Sequence, residues 1–121
     1  MTEMKVVGFT IQISSNQPEV LKAFYEDVVG LQVDDVVGGL KIGDGHLLID
    51  AHDQIDGPNT QPARFLLNFF VEDIDAEQAR LEAQGVTFIR DKGREYWGGI
   101  ISTFLDPDGN YAQLIEFRPD R

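Results

Sequence analysis

A chain of 121 residues and 13.6 kDa has the size of one domain with a single hydrophobic core, and its 42% hydrophobic and 26% charged residues exclude a disordered tail or a collagen-like fibre. Ten basic against 21 acidic residues give a formal charge of −11, a surface that repels phosphate backbones and anionic membranes and attracts cationic small molecules. The absence of cysteine excludes a disulfide framework, a thiol nucleophile and a zinc–thiolate site.

No apolar run approaches the roughly 18 residues that span a bilayer, and "MTEMKVVGF" lacks a signal peptide's basic region and long apolar core, so a cytoplasmic location is expected. Residues 5–13, "KVVGFTIQI", alternate. Val7, Phe9, Ile11 and Ile13 share the face expected to meet the core, with Gly8, Thr10 and Gln12 opposite. In "SSNQPEVLKAFYEDVVG", Ser15 or Asn16 can cap a helix and Pro18 and Glu19 suit its first turn. Val20, Phe24 and Val28 repeat every four residues with Leu21 and Tyr25 beside them, and Gly30 can end the helix. "LQVDDVV", "GLKIG" and "HLLIDAH" follow as three short strands separated by glycine turns.

Residues 53–62 carry two prolines and little apolar content and are read as a linker between modules over about residues 4–52 and 63–118. The pattern then restarts. "RFLLNFFV" is a strand, "EDIDAEQARLEAQG" a helix with Asp73 or Asp75 as cap and Gly85 at its end, "VTFIRD" a strand and "KGREYWGG" a loop. "IISTFL" and "NYAQLIEF" form a final hairpin. The order strand, helix, three strands thus occurs twice. Halves of about 58 residues lie near the lower limit of independent stability, so they must bury surface against each other or against a second chain.

The duplicated order, with "LKAFYEDVVGLQV" in the first half and "WGGIISTFLDPDGNYAQLIEF" in the second, resembles the vicinal oxygen chelate superfamily, which includes glyoxalase I, extradiol dioxygenases and the bleomycin-resistance proteins. The resemblance implies an α+β fold of two tandem βαβββ modules. Each has a curved, partly open, barrel-like sheet with its helix on the convex side and a cleft on the concave side. It also implies a homodimer.

"DPDGN" itself reads as a hinge. Pro107 presets a turn and Gly109 supplies positive φ, whereas an EF-hand loop would need glycine sixth and glutamate twelfth, and the twelfth residue from Asp106 is Phe117. "GREYWG" has phosphate-loop glycine spacing, but Gly99 and Ile100 stand where lysine and a hydroxyl residue belong.

In metal-dependent members of the superfamily each half places a histidine on its first strand and a glutamate on its last. Those positions fall here on or near Gly8, on Leu66, on Gln113, and on Leu48 or, with a shift, Asp50. No resident metal or cofactor is therefore expected, and no catalytic residue is assigned. Asp50 and His52, two apart on a strand and about 7 Å from each other, form the one alternative pair, too few ligands for a metal site.

Alternation instead points Thr10, Gln12, Asn68, Phe70 and Gln113 into the cleft, with Asp50 as the one candidate acid and Tyr96 and Trp97 at the rim. The reading that follows is a metal-free protein binding or sequestering a small organic, antibiotic-like and cationic molecule. A metal-dependent lyase, isomerase or dioxygenase with displaced ligands is the alternative, and a pure interaction module the third.

Overall fold

The computed structural model describes residues 3–36 and 38–119 and divides the chain into two compact units, Met1–Asp56 and Gly57–Arg121. The fold is mixed α+β, with one open sheet of three strands and one of four, each carrying a helix.

In the N-terminal unit β1 (Thr10–Ser15) runs parallel to β3 (Gly45–Ala51), which pairs antiparallel with the short β2 (Leu40–Ile42). Parallel neighbours need a crossover, and here it contains α1 (Pro18–Ala23) and its π-helical continuation Phe24–Val29. Ser15 does not cap this helix by its side chain. Its hydroxyl accepts from Gln17 N at 2.9 Å, and Gln17 takes the cap position. The buried line of the helix is Leu21 and Tyr25, while Val20 is exposed; Leu40, Leu47 and Ile49 are the unit's other buried apolar side chains, and α1 packs on β3. Gly30 closes the π-helical turns at φ 94°.

Two expectations for this unit are corrected. The first strand starts at Thr10, and Val7 and Phe9 are 103% and 69% exposed, because no strand flanks residues 5–8 to turn their alternation into burial. "LQVDDVV" is not a strand but a turn joined to β2 by a single bridge, Val33 to Leu40, with Val37 outside the described residues. The turn is pinned by Asp34. Its backbone N–H donates to Gly39 O, its Oδ1 accepts from Val36 N, and its Oδ2 meets His46 Nε2 at 2.8 Å.

The C-terminal unit is complete, in the order β4 (Leu67–Phe70), β7 (Tyr111–Phe117), β6 (Gly99–Leu105), β5 (Phe88–Arg94). β4 and β7 are parallel and the other pairs antiparallel. α2 (Ile74–Ala83) begins at Asp73, whose carboxylate accepts from Ala76 N at 3.0 Å, as its sequence predicts. It buries Ile74, Gln78 and Leu81.

Glu116 ties the helix to β7. Its Oε1 accepts from Ile74 N at 2.8 Å, so a carboxylate satisfies an N-terminal amide that the helix cannot. Arg118 closes on the same carboxylate and on Asp75, and these bonds, Glu116 first, raise the guanidinium pKa above its usual value. On the other side of the helix Gln78 Nε2 donates to Asp91 Oδ1. The Lys92 backbone N–H, and then this amide, hold the Asp91 carboxyl below its ordinary range.

The strand expected at 64–71 is shorter than its apolar run, and Phe65, ahead of it, is 75% exposed. The segment read as a loop from Lys92 belongs to β5 up to Arg94. Two register shifts let the strand absorb Lys92 and Gly93. Among the described residues no helix is long and apolar enough to cross a membrane.

Candidate functional site

Alternation along β4, β6 and β7 sends Leu67, Phe69, Ala112, Leu114, Ser102 and Phe104 toward α2, all of them buried. The opposite face has no helix of its own unit on it. In-register pairing lays two rows across it. One is polar: Asn68 beside Gln113, Gln113 beside Thr103, Thr103 beside Arg90. The next is apolar: Phe70, Ile115, Ile101 and then Gly93.

Within the polar row Gln113 Nε2 donates to Thr103 Oγ1 at 3.0 Å. The bond fixes the amide so that its carbonyl oxygen remains an acceptor, and the Thr103 hydroxyl keeps its own proton to donate. Arg90 ends the row. Its guanidinium lies over Gly93, where a Cβ would come within 3.3 Å of Nη2, and pairs with Glu95 at 3.0 Å.

The β5–β6 turn supplies the aromatic side. Gly98 takes φ 95°, closing a turn in which its N–H donates to Glu95 O at 3.0 Å. Gly99 then makes room for the indole. A Cβ there would lie 2.1 Å from Trp97 Cη2, so the ring rests flat on the backbone of β6. Trp97 stacks on Phe117 with ring centres 6.4 Å apart and planes 14° from parallel. That is the physical content of "WGG": one glycine for the turn, one for the ring.

Of the residues singled out from sequence, Asn68, Phe70, Trp97 and Gln113 come to this face of one sheet. Tyr96 stands at the turn tip, 99% exposed. Thr10, Gln12 and Asp50 lie in the other unit, on the face of its sheet opposite Leu47 and Ile49, in register with His46, Leu48 and Ser14 respectively. Sequence reasoning missed Thr103, Arg90 and Phe117. The alternation of "IISTFL" carried the signal for Thr103, since it shares parity with Ile101. It also missed the His46–Asp34 pair, whose members are twelve residues apart.

Asp50 also borders two cavities beside α1, of about 450 and 240 Å³, together with Lys22, Glu26 and Ile49. The larger also has Glu19 and Asp27 in its wall. The larger cavity's charged lining differs from the mostly apolar lining of organic-ligand sites. The smaller one is walled mainly by Val33, Leu40, Leu47, Leu48 and Ile49 without an aromatic side chain, so the sheet face, with its amides and aromatic stack, is the better candidate.

The positions where superfamily enzymes hold a metal do not fit one here. Gly8 has no side chain, Leu66 and Leu48 are apolar, and Gln113 offers only a neutral amide oxygen, so Asp50, the shifted alternative to Leu48, would be the one anionic ligand. His52 Nδ1 accepts from Gln54 N at 3.0 Å in the turn after β3. Among the described residues no three His, Asp or Glu side chains are grouped to hold an ion.

"DPDGN" is a knot of hydrogen bonds. Asp106 Oδ1 accepts from Asp108 N and Asn110 N, and Oδ2 from Asn110 Nδ2, each at 2.9 Å.

A family model described as the Glyoxalase/Bleomycin resistance protein/Dioxygenase superfamily matches residues 9–114, and the chain belongs to that superfamily. No curated protein matches it. Among solved structures, a glyoxalase family protein from Bacillus anthracis is 21% identical with a TM-score of 0.74, over 98% of this chain and 100% of that one. TnmS3, an antibiotic binding protein from Streptomyces sp. CB03234, is 29% identical with a TM-score of 0.67, over 97% and 98%. A lactoylglutathione lyase from Agrobacterium tumefaciens is 22% identical with a TM-score of 0.70, over 95% and 96%.

A Gly99→Ala variant is expected to fold but to lift the indole off β6. The check is Trp97 emission and acrylamide quenching: the variant should be red-shifted and more strongly quenched, and an unchanged spectrum would contradict the ring bed.

Proposed function

We propose that this member of the superfamily is a metal-free binding protein that holds a small organic molecule on the open face of its C-terminal sheet. The observation that carries the reading is the pair of rows on that face. Asn68 and Gln113 present neutral donors and acceptors along one line, backed by the buried Thr103. The exposed Phe70 and the Trp97–Phe117 stack present apolar and aromatic surface beside it, over the buried Ile115. Such a face suits a ligand with a flat apolar body and a hydrogen-bonding edge. A net charge of −11 favours a cationic one over an anionic one in the approach.

The likeness to an antibiotic binding protein supports sequestration of an antibiotic-like molecule. Turnover as a metal-dependent lyase, isomerase or dioxygenase would need a Lewis-acid site, and the residues at the expected ligand positions do not supply one. Thr10, Gln12 and Asp50 are proposed as ligand contacts on the N-terminal unit's own sheet, and Tyr96 as a rim residue of the C-terminal one.

The test is titration of Trp97 emission with a panel of aromatic natural-product antibiotics, bleomycin included. At least one should bind saturably and be recovered unmodified, with Gln113→Leu and Phe70→Ala each weakening it about tenfold, or ~1.4 kcal/mol. A panel that leaves the emission unchanged, or a ligand recovered chemically altered, would overturn the reading.

The homodimer belongs to the same proposal. Val6, Val7 and Phe9 before β1, and Phe65 before β4, are exposed apolar side chains of the sort a second copy covers. Sedimentation equilibrium should give twice the 13.6 kDa chain mass, and a Val7→Asp/Phe9→Asp variant should give the single mass. A wild-type monomer would refute it.

A further inference from the structure

The segment after Gly57 holds an arginine in an arrangement that the ligand face does not use. Arg80, Arg90 and Arg118 each pair with a carboxylate: Glu77, Glu95 and Glu116. Arg64 does not. Its Nε and Nη2 both donate to Gln61 Oε1, at 3.1 and 2.6 Å, so a neutral amide orients the guanidinium without cancelling its charge. Arg94 Nη2 goes to a backbone carbonyl, Arg118 O, whereas Arg64 is held by a side-chain amide.

Gln61 is itself held in place. Asn59 Oδ1 accepts from Gln61 N at 2.8 Å, while Asn59 Nδ2 donates to Asn110 Oδ1 and Asn59 N to Asp108 O, each at 2.8 Å. Asn110 is fixed by Asp106. A continuous set of bonds therefore runs from the "DPDGN" turn through Asn59 and Gln61 to the Arg64 guanidinium. The hinge also positions a charge.

Gln61, Pro62, Ala63, Arg64 and Tyr111 line a shallow surface depression of about 390 Å³. With Gln61 on the Nε–Nη2 side, the Nη1–Nη2 end of the fork remains for a ligand. Two parallel N–H groups there match the two oxygens of a carboxylate. The Tyr111 hydroxyl has no hydrogen bond to a described residue and stands as a third donor, and its ring with Pro62 and Ala63 makes the apolar wall. We propose that Gln61, Arg64 and Tyr111 form a binding site for a small organic carboxylate with an apolar or aromatic body. The site is independent of the Trp97 face and of whatever that face binds. The overall negative charge repels free anions, so retention of a carboxylate requires a local arrangement of this kind.

The experiment is a ¹H–¹⁵N NMR titration of the full chain at low salt with sodium benzoate, benzamide and inorganic phosphate. Benzoate should move the Arg64 Nε–H signal and the amides of residues 61, 63 and 64 saturably. Benzamide and phosphate should bind at least about tenfold more weakly, since one lacks the charge and the other the planar pair of oxygens with an apolar body. Arg64→Gln should abolish the shifts. Arg64→Lys, which keeps the charge and loses the fork, and Gln61→Met, which releases the guanidinium, should each weaken benzoate severalfold with the rest of the spectrum preserved. Equal binding of benzoate and benzamide, tighter binding of phosphate, full affinity in Arg64→Lys, or benzoate shifts confined to the Trp97 indole would each overturn the site.

Discussion

The parallel pairing of β4 with β7 is the constraint from which the candidate site follows. Its register sets Asn68 beside Gln113 and Phe70 beside Ile115. Because side chains alternate, a slip of one residue would send the amides against α2 and leave Leu67 and Leu114 in the open. The helix enforces the register from the other side. Ile74, Gln78 and Leu81 need an apolar partner surface, and Glu116, projecting from the same face as Leu114, ties β7 to the first turn of α2. The face turned from the helix carries the amides and the aromatic rings together with Ile101 and Ile115, while Leu67 and Leu114 face the helix.

A second constraint acts at the β6–β7 turn. Asp106 uses both carboxylate oxygens to hold the backbone and side chain of its own turn. That turn in turn orders the segment from Asn59 to Arg64. The glycine-rich β5–β6 turn works by the same economy, with Gly98 bending the chain and Gly99 accepting the indole. Together the two turns decide what stands at the ends of the sheet: Trp97 near Phe117, and Arg64 near Tyr111.

Much of the C-terminal unit was legible in the sequence because its alternating runs have partners. "FLLNFFV" and "NYAQLIEF" gave the parity of Asn68, Phe70 and Gln113, and Asp73 and Gly85 marked α2. The N-terminal unit shows where such reasoning stops. Val7 and Phe9 alternate as well as Ile11 and Ile13, yet alternation states only which residues would share a face. Burial needs a neighbouring strand, and residues 5–8 have none. "LQVDDVV" failed for a related reason: Asp34 bonds His46 and the backbone of its own turn, and those local bonds outcompete a ladder. The bonds Gln113–Thr103, Glu116–Ile74 and Gln61–Arg64 join positions whose pairing depends on register, loop path or rotamer, which a periodicity cannot carry. Composition located the aromatic rim but not the stack of Trp97 on Phe117, which depends on the missing Cβ of Gly99.

The central claim is that neutral side chains, and not a metal, hold the ligand. It is tested most directly by native mass spectrometry of the protein with a bound organic ligand, before and after exhaustive treatment with a strong chelator. The account predicts the same bound fraction in both samples, and a released molecule of unchanged mass. Loss of the complex on chelation, or release of a molecule of altered mass, would contradict it.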